Sequence, residues 1–456
     1  MYGGNLIIKN GTIVLPEGMF KFDIMIENGR IVEIGSDIPI RTGFEVIDAK
    51  GMLILPGIVD EHVHMREPGL EYKDDFTHGT MAAAAGGVTT VLEMPNTLPP
   101  VDSGARVKEK ASLLSSKAYV DFALYGVLHD GNVDKFEDII GEGAIGFKVF
   151  LGPTTGNIPA PSDSSIYEIL LKSAKYNVPI AFHAENWSLV KYFTEKVKAS
   201  GRVDPRAHLD SRPPICEEEA IQRLILYSKR TKGKVLIVHM SSREGVELLK
   251  MARDKGINVY GETCPHYLLL SANDYDKYGT LIKVNPPIRE EYHRKSLWEA
   301  IINNIITHLG SDHAPHAEKE KLNKDIWSAS AGFIGVQTFL PLMLDAALRG
   351  KIPLTKVPEL MSRNPSKLFN LYPRKGTISI GSDGDLVIVD PNEEYVIRRE
   401  DIYAKHPITP FIGWKLKGRI KYTVVRGIVV AKDGKVIVSK PVGMWIKRGS
   451  RVTNTI

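Results

Sequence analysis

The sequence predicts an α/β protein: a (β/α)8 barrel of the TIM type with a small β-sandwich formed by both termini. In the middle of the chain, short strand-like runs alternate with longer helical stretches, which is the pattern of a parallel sheet. Both ends instead contain closely spaced strands joined by turn dipeptides. Histidine or aspartate follows four of the middle runs, and the strand ends of a barrel are where functional side chains gather.

Residues 1–55 are predicted to form the N-terminal part of the sandwich. Asp23–Glu27 alternates in polarity, Asn28-Gly29 is a turn dipeptide, and Ile31–Ile34 alternates again, which indicates a β-hairpin. Two further apolar runs precede this hairpin, at Asn5–Lys9 and Ile13–Leu15.

Residues 56–372 are predicted to form the barrel. The strand-like runs are separated by helical stretches such as Ser165–Tyr176 and Glu217–Thr231. Over roughly 300 residues this alternation favours a closed barrel, with an open doubly wound sheet as the alternative. No glycine-rich nucleotide-binding motif follows the first strands, so that alternative lacks its usual support. Examples of the runs are Ala144–Phe150, Val178–Phe182, Val235–Val238, Ile257–Tyr260 and Ile306–Leu309.

Residues 373–456 return to short strands and turns. Arg426-Gly427 and Asp433-Gly434 are the turn dipeptides between them. Because two strand-rich ends flank a different middle, we expect them to form one sandwich. The strand-like runs are Asp385–Asp390, Tyr422–Val425, Ile428–Val430 and Val436–Val438.

Composition indicates an ordinary globular protein. Of the 456 residues, 43% are hydrophobic and 25% are charged, and the net charge is +5 without a basic run of five or more. We therefore expect no nucleic-acid partner. The two cysteines form no disulfide framework, Met1–Lys9 does not resemble a signal peptide, and no apolar run reaches 18 residues. These features predict a cytoplasmic protein without a membrane span.

His62-Val63-His64 follows the apolar run Leu53–Val59. Because side chains alternate along a strand, both histidines point to the same face and can bind one metal ion. A single pair of this kind is weak evidence. Its position at a strand end within a barrel pattern strengthens the prediction.

Three more residues stand at comparable positions. His183 ends Ile180–Phe182, His239 ends Val235–Val238, and Asp312 follows Thr307–Ser311. Each alone is better explained by a structural role. Together they indicate a ligand site, because buried polar groups are costly and converge at this rim of a barrel.

Lys148 lies within the apolar strand Gly146–Phe150. An edge-strand lysine is the simpler interpretation. A lysine between aromatic residues is also desolvated, which favours the neutral amine. A neutral amine can react with carbon dioxide to form a carbamate, an anionic oxygen ligand that can bridge two cations.

The motifs around these residues resemble those of the cyclic amidohydrolases, the group of dihydroorotase, allantoinase and hydantoinase (dihydropyrimidinase). The resemblance covers nearly the whole chain. Its motifs are Asp60–Gly69, Ala85–Thr90, Met94–Thr97, Gly146–Lys148, His183–Glu185, His239–Ser241, Glu262–Tyr267, Lys283–Pro287, Ser311–His316 and Gly381–Leu386.

The resemblance implies a centre of two metal ions. His62, His64 and Asp312 hold the first ion, His183 and His239 hold the second, and carbamylated Lys148 and a hydroxide bridge them. Asp312 is also implied as the catalytic proton carrier. We expect Zn²⁺, although these ligand types accept other divalent ions. The expected partner is a small, anionic cyclic ureide, and relatives suggest a homo-oligomer.

Four residues favour dihydroorotase, which interconverts N-carbamoyl-L-aspartate and dihydroorotate in pyrimidine biosynthesis. If the extended backbone persists, Arg66 points into the same cavity as His62 and His64 and can hold a substrate carboxylate. The alternative is an ion pair with Glu67, Glu71 or Asp74. The resemblance also implies substrate contacts at Asn96, Asn285 and His316, although either asparagine could cap a turn.

Other features favour allantoinase or hydantoinase. The loop Trp327–Val336, the segment His406–Ile420 and the large terminal sandwich look more like these enzymes. Dihydroorotase remains the first prediction, because charge matching is decided in the pocket. A non-catalytic scaffold homologue is the alternative of another class, and the presence of all six metal-ligand candidates weighs against it.

Overall fold

The structure is a computed structural model that describes residues 3–156 and 158–449, so the ends of both predicted terminal segments lie outside the described residues. Seven strands precede the barrel. They are β1 (Leu6–Lys9), β2 (Thr12–Leu15), β3 (Gly18–Lys21), β4 (Asp23–Glu27), β5 (Arg30–Gly35), β6 (Glu45–Asp48) and β7 (Leu53–Pro56). The predicted hairpin is β4 and β5, which pair antiparallel.

The barrel consists of eight parallel strands in sequence order. The first and last strands approach each other, because Val63 bridges His313 and the backbone N–H of His64 donates to the carbonyl of His313 at 2.7 Å. The strands are β8 (Ile58–Val63), β9 (Val88–Glu93), β10 (Asp121–Val127), β11 (Gly146–Phe150), β12 (Pro179–His183), β13 (Lys234–Ile237), β14 (Val259–Thr263) and β15 (His308–Leu309).

Helices follow the barrel strands, and the predicted helical stretches correspond to α4 and α7. The helices are α1 (Phe76–Ala85), α2 (Gly104–Ser115), α3 (Phe136–Gly141), α4 (Asp163–Tyr176), α5 (Trp187–Ala199), α6 (Pro205–Asp210), α7 (Ile215–Thr231), α8 (Arg243–Asp254), α9 (Pro265–Leu269), α10 (Tyr275–Tyr278), α11 (Glu291–Ile302), α12 (Glu318–Lys321), α13 (Val336–Leu348), α14 (Lys356–Pro358) and α15 (Asn364–Leu368).

Strands from both ends of the chain build the sandwich. The C-terminal strands are β16 (Leu386–Val396), β17 (Lys415–Val425), β18 (Ile428–Lys432) and β19 (Lys435–Val436). One sheet has the order β5-β4-β1-β6, and the other has the order β19-β18-β17-β16-β7-β2-β3. Apolar side chains of both sheets form a separate core, including Leu6, Ile24, Ile54, Ile388 and Val424.

The apolar run Leu53–Val59 is divided between the two parts of the fold. Strand β7 belongs to the sandwich and β8 to the barrel, and Gly57 lies between them. A Cβ at Gly57 would lie 2.2 Å from Oγ1 of Thr89 and 2.7 Å from Cβ of Asp385. Glycine therefore allows the chain to cross from one sheet to the other.

The predicted fold class is confirmed, and the alternative of an open doubly wound sheet is wrong. None of the helices within the described ranges combines the length and hydropathy that crossing a membrane requires.

Candidate active site

All ten predicted site residues line one cavity of about 410 Å³ near the C-terminal ends of the barrel strands. Parallel strands direct their carboxyl ends to the same rim, which explains why residues far apart in sequence meet there. The ten residues are His62, His64, Arg66, Asn96, Lys148, His183, His239, Asn285, Asp312 and His316.

His62, His64 and Asp312 converge at one side of the cavity. Nε2 of His62 lies 3.3 Å and Nε2 of His64 lies 3.5 Å from Oδ1 of Asp312. Burial alone would raise the pKa of Asp312, but the neighbouring His62 and His64 lower it well below its usual range. Two imidazoles and a carboxylate form a ligand set suited to a divalent cation.

His183 and His239 form a second, adjacent group. Nδ1 of His183 lies 3.0 Å from Nε2 of His239, and their ring centroids are 4.7 Å apart. The ring centroid of His62 lies 5.4 Å from that of His239. The two groups can therefore hold two neighbouring ions.

Lys148 is buried and lines the same cavity as these groups. Its side chain is in the middle of β11, and its Nζ has no hydrogen-bond partner among the described residues. Burial lowers the pKa of Lys148 to about 8. After burial, the charge of Lys148 is among the causes that lower the pKa of both His62 and His239, which indicates that its amine lies near both. The edge-strand interpretation is wrong, because β11 pairs with strands on both sides.

Two side chains orient the histidines of the first group. Oε1 of Glu262 accepts from Nδ1 of His62 at 2.8 Å and from the backbone N–H of His239 at 3.1 Å. Oδ1 of Asn96 accepts from Nδ1 of His64 at 2.7 Å. Because each acceptor fixes the proton on Nδ1, Nε2 of His62 and His64 keeps its lone pair for a metal ion.

Glu185 orients the second group in the same way. Its Oε2 accepts from Nε2 of His183 at 2.8 Å, which leaves Nδ1 of His183 facing His239. Arg212 holds Glu185 through two hydrogen bonds of 3.0 and 2.7 Å. Burial would raise the pKa of Glu185, but Arg212 and His183 lower it well below its usual range.

Glu262 and Glu185 have no predicted role, although both stand in motifs of the resemblance. A carboxylate at the end of β14 and another two residues after His183 are the signals that could have identified them. Asn96 is predicted as a substrate contact. In the structure its Oδ1 serves His64, and its Nδ2 donates to Oγ1 of Thr154 at 3.3 Å.

Three non-glycine residues of the site have left-handed backbone angles. The φ values are 64° at Arg66, 43° at His239 and 46° at Asp312. Such conformations cost on the order of 1–3 kcal/mol each and occur where the surroundings enforce them. The expected extended backbone at Arg66 is therefore wrong, yet its side chain still faces the cavity.

Arg66 forms a cationic part of the wall. Its Nε donates to the carbonyl of Pro315 at 2.9 Å, and its Nη2 lies 3.3 Å from Nε2 of His316. No carboxylate within the described ranges forms an ion pair with it, so the predicted alternatives Glu67, Glu71 and Asp74 are wrong. Lys73 approaches Nδ1 of His316 from the other side, at 3.2 Å.

Asn285 supplies a free acceptor to the same cavity. Its Oδ1 is buried and has no hydrogen-bond partner in the described part of the chain. An unpartnered buried carbonyl is costly, which makes this oxygen a candidate contact for a ligand N–H group.

Comparison with known proteins gives one consistent result. A profile of the Amidohydrolase family matches residues 53–430. An allantoinase of Rubrobacter xylanophilus is 37% identical over 97% of both chains. An L-hydantoinase of Paenarthrobacter aurescens is 36% identical over 97% of this chain and 98% of its own.

Solved structures agree. The L-hydantoinase (dihydropyrimidinase) from Arthrobacter aurescens superposes with a TM-score of 0.94 at 35% identity, covering 98% of this chain and all of that one. The dihydropyrimidinase from Brevibacillus agri gives a TM-score of 0.91 at 31% identity, covering 97% and 98%. These relatives favour the allantoinase and hydantoinase alternatives over the prediction of dihydroorotase.

Proposed function

The chain belongs to the amidohydrolase family, and from this premise we propose that it opens the ring of a cyclic ureide, with allantoin as the preferred substrate. Its relatives make it a metal-dependent hydrolase of cyclic amides. In such a reaction water adds to a ring carbonyl carbon and the C–N bond of the amide breaks. The ring nitrogen gains a proton, and the product is an N-carbamoyl carboxylate.

The donor atoms of the site fit two divalent cations, which we propose are Zn²⁺. Nε2 of His62 is buried without a hydrogen-bond partner among the described residues, which fits a metal ligand. His64 and Asp312 would share the first ion, and His183 and His239 would hold the second. When bound, two such cations lower the pKa of a water molecule and polarise the ring carbonyl.

Lys148 is proposed to act as a carbamate. The lone pair of its neutral amine attacks the carbon of carbon dioxide, an N–C bond forms while one C=O π bond opens to an oxyanion, and the nitrogen releases one proton to solvent. A pKa of about 8 makes the neutral amine available at mildly alkaline pH. Four neutral imidazoles and one aspartate carry only one negative charge, which is too little to balance two divalent cations. The carbamate would add a further negative charge.

Asp312 is proposed as the proton carrier. Its low pKa keeps it ionised, and it lines the cavity within 3.5 Å of both His62 and His64. It accepts the proton that the attacking water releases and passes it to the departing ring nitrogen. The left-handed backbone at Asp312 holds the carboxylate in this place.

The choice of allantoin rests on two residues that line the same cavity, Arg66 and Asn285. Arg66 offers only donors, whereas the unpartnered Oδ1 of Asn285 offers an acceptor. A ureido arm satisfies both, because it carries a carbonyl and N–H groups. An aliphatic or aromatic substituent, as on many hydantoins, satisfies neither.

Dihydroorotate is the second candidate. Arg66 is 3% exposed and has no carboxylate partner among the described residues, so a substrate carboxylate would complete its charge. The relatives are allantoinases and hydantoinases, which is why we place this substrate second.

A substrate panel tests the proposal. The purified, metal-loaded protein is assayed with allantoin, hydantoin, dihydrouracil and dihydroorotate, and Asp312→Asn serves as the inactive control. We expect kcat/KM to be highest for allantoin, by about tenfold. A highest value for dihydroorotate would establish the second candidate, and turnover of none of them would refute the proposed function.

A further inference from the structure

Two buried lysines, Lys283 and Lys321, form hydrogen bonds with a segment of the wall of the same cavity. This substrate wall is the segment from Ile326 to Gly332, of which Ser330, Ala331 and Gly332 line the cavity. The wall is neither helix nor strand over most of its length, so its shape depends on hydrogen bonds from outside the segment.

Lys283 is at the centre of these hydrogen bonds. Its Nζ donates to the carbonyls of Ile326 and Ala329, both at 2.6 Å. Its own carbonyl accepts from the backbone N–H of Gly332 at 2.9 Å. The side chain is 8% exposed, and burial lowers its pKa to about 8. Lys283 therefore fixes the wall near both of its ends.

Lys321 forms two further hydrogen bonds in the same region. Its Nζ donates to the carbonyl of Lys283 at 2.6 Å and to the carbonyl of Ser330 at 3.0 Å. The residue is fully buried, and burial lowers its pKa well below the usual range. The two ammonium groups thus satisfy four backbone carbonyls.

Neither lysine has a carboxylate partner among the described residues. Burying an ammonium group without a counter-ion costs free energy, and such groups usually form an ion pair with a carboxylate. Here the cost is offset by hydrogen bonds to carbonyls of the wall and of Lys283, and by the ring of Phe333, whose centroid lies 5.9 Å from Nζ of Lys321. If either lysine loses its donors, carbonyls remain buried and unpaired, and the wall must move to reach water.

The wall is connected to the groups that face a substrate. The carbonyl of Ala331 lies 3.0 Å from Nε2 of His316, which itself contacts Arg66. Asn285 follows Lys283 by two residues and presents its free Oδ1 to the cavity. None of the hydrogen bonds of Lys283 or Lys321 involves a metal-ligand candidate.

We propose that Lys283 and Lys321 are positioning residues that set the substrate affinity of the site by holding the substrate wall, independently of metal binding. The inference deepens the proposed function and rests on it for the identity of the substrate. The geometry of the wall does not depend on which cyclic ureide is turned over.

The test uses Lys283→Met and Lys321→Met in the full-length, metal-loaded protein. Lys319→Met is the control, because Lys319 lies on the same short helix as Lys321, α12, but is exposed. For the best substrate of the panel we expect KM to rise about tenfold while kcat changes less than about threefold. Bound metal per chain should equal that of the unchanged protein. An unchanged KM, or a loss of metal in parallel with activity, would overturn the proposal.

Hydrogen–deuterium exchange gives a readout that needs no substrate. In the unchanged protein the backbone N–H groups of Ser330 and Gly332 should exchange slowly, since they donate to Glu320 and Lys283. Both methionine variants should accelerate exchange in the wall but not in α4. Fast exchange in the unchanged protein would overturn the proposal even if no variant folds. Slow exchange without ureide turnover would leave the wall assignment standing and refute only the proposed function.

Discussion

At the scale of single residues, the site depends on which ring nitrogen of each histidine is free. One ring nitrogen of each of three histidines forms a hydrogen bond, which leaves the other nitrogen facing the cavity. The pairs are His62 with Glu262, His64 with Asn96 and His183 with Glu185. Glu262 also accepts from the backbone of His239, so one carboxylate oxygen serves both ligand groups. Such orienting partners typically change metal affinity 10–100-fold when they are replaced.

Glu262→Gln should therefore weaken metal binding by about tenfold or more, because a neutral amide stabilises the ligand form of His62 less well. Competition with a chromophoric chelator measures this affinity. Glu109→Gln, which alters a surface ion pair, is the control. Equal affinities for the two variants would show that Glu262 has no orienting role.

Arg66→Met should raise KM for the best substrate by about tenfold or more and leave bound metal unchanged, since a buried donor group is lost from the cavity wall. Steady-state kinetics and metal analysis together check this. Kinetics identical to those of the unchanged protein would mean that Arg66 supports only Pro315 and His316.

At the scale of elements, alternating polarity and turn dipeptides predicted most strands, and the strand ends predicted where the site lies. Periodicity could not show that Leu53–Val59 is two strands, because a glycine crossing between sheets leaves no break in hydrophobicity. It also could not show that only His308 and Leu309 of the predicted run Ile306–Leu309 form strand β15. The partners of Arg66 were not predictable, since they are a carbonyl and a histidine about 250 residues away.

The connection after β15 has no space for a side chain at Gly310. A Cβ there would lie 2.7 Å from Cδ of Glu262 and 2.9 Å from Cβ of His62. Gly310→Ala should therefore displace the metal-ligand candidate His62 and its hydrogen-bond partner Glu262 together and lower metal affinity by about tenfold or more. Gly141→Ala is the matched control, because a Cβ at Gly141 meets nothing within 4 Å. Normal metal binding by Gly310→Ala would contradict this account.

At the scale of the whole molecule, a buried cluster of charges joins the barrel to the sandwich. Nζ of Lys375 lies 2.5 Å from carboxylates of both Asp121 and Asp385 and 2.9 Å from that of Asp383. Asp121 begins barrel strand β10, whereas the other two aspartates precede sandwich strand β16. Burial would lower the pKa of Lys375, but the three carboxylates raise it, so the ammonium ion is the stable form.

Lys375→Met should lower the free energy of unfolding by about 3–5 kcal/mol, because all three buried aspartates lose their ion pair with Lys375. Arg426 still pairs with Asp121 and Arg374 with Asp383 in this variant. Urea denaturation followed by circular dichroism measures the change. Lys50→Met, at an exposed position, should leave the stability within about 0.5 kcal/mol. A loss for Lys375→Met as small as that of the control would show that the cluster does not hold the two parts together.

We propose that six side chains at or near the ends of five barrel strands bind two catalytic metal ions. The most direct measurement is the metal content per chain of the purified protein and of Lys148→Ala, determined by mass spectrometry after equilibration with Zn²⁺ and bicarbonate. We predict two ions per chain in the unchanged protein, fewer than one in Lys148→Ala, and loss of ureide hydrolysis when a chelator removes the ions. Full hydrolysis by metal-free protein, or two ions retained in Lys148→Ala, would contradict the account.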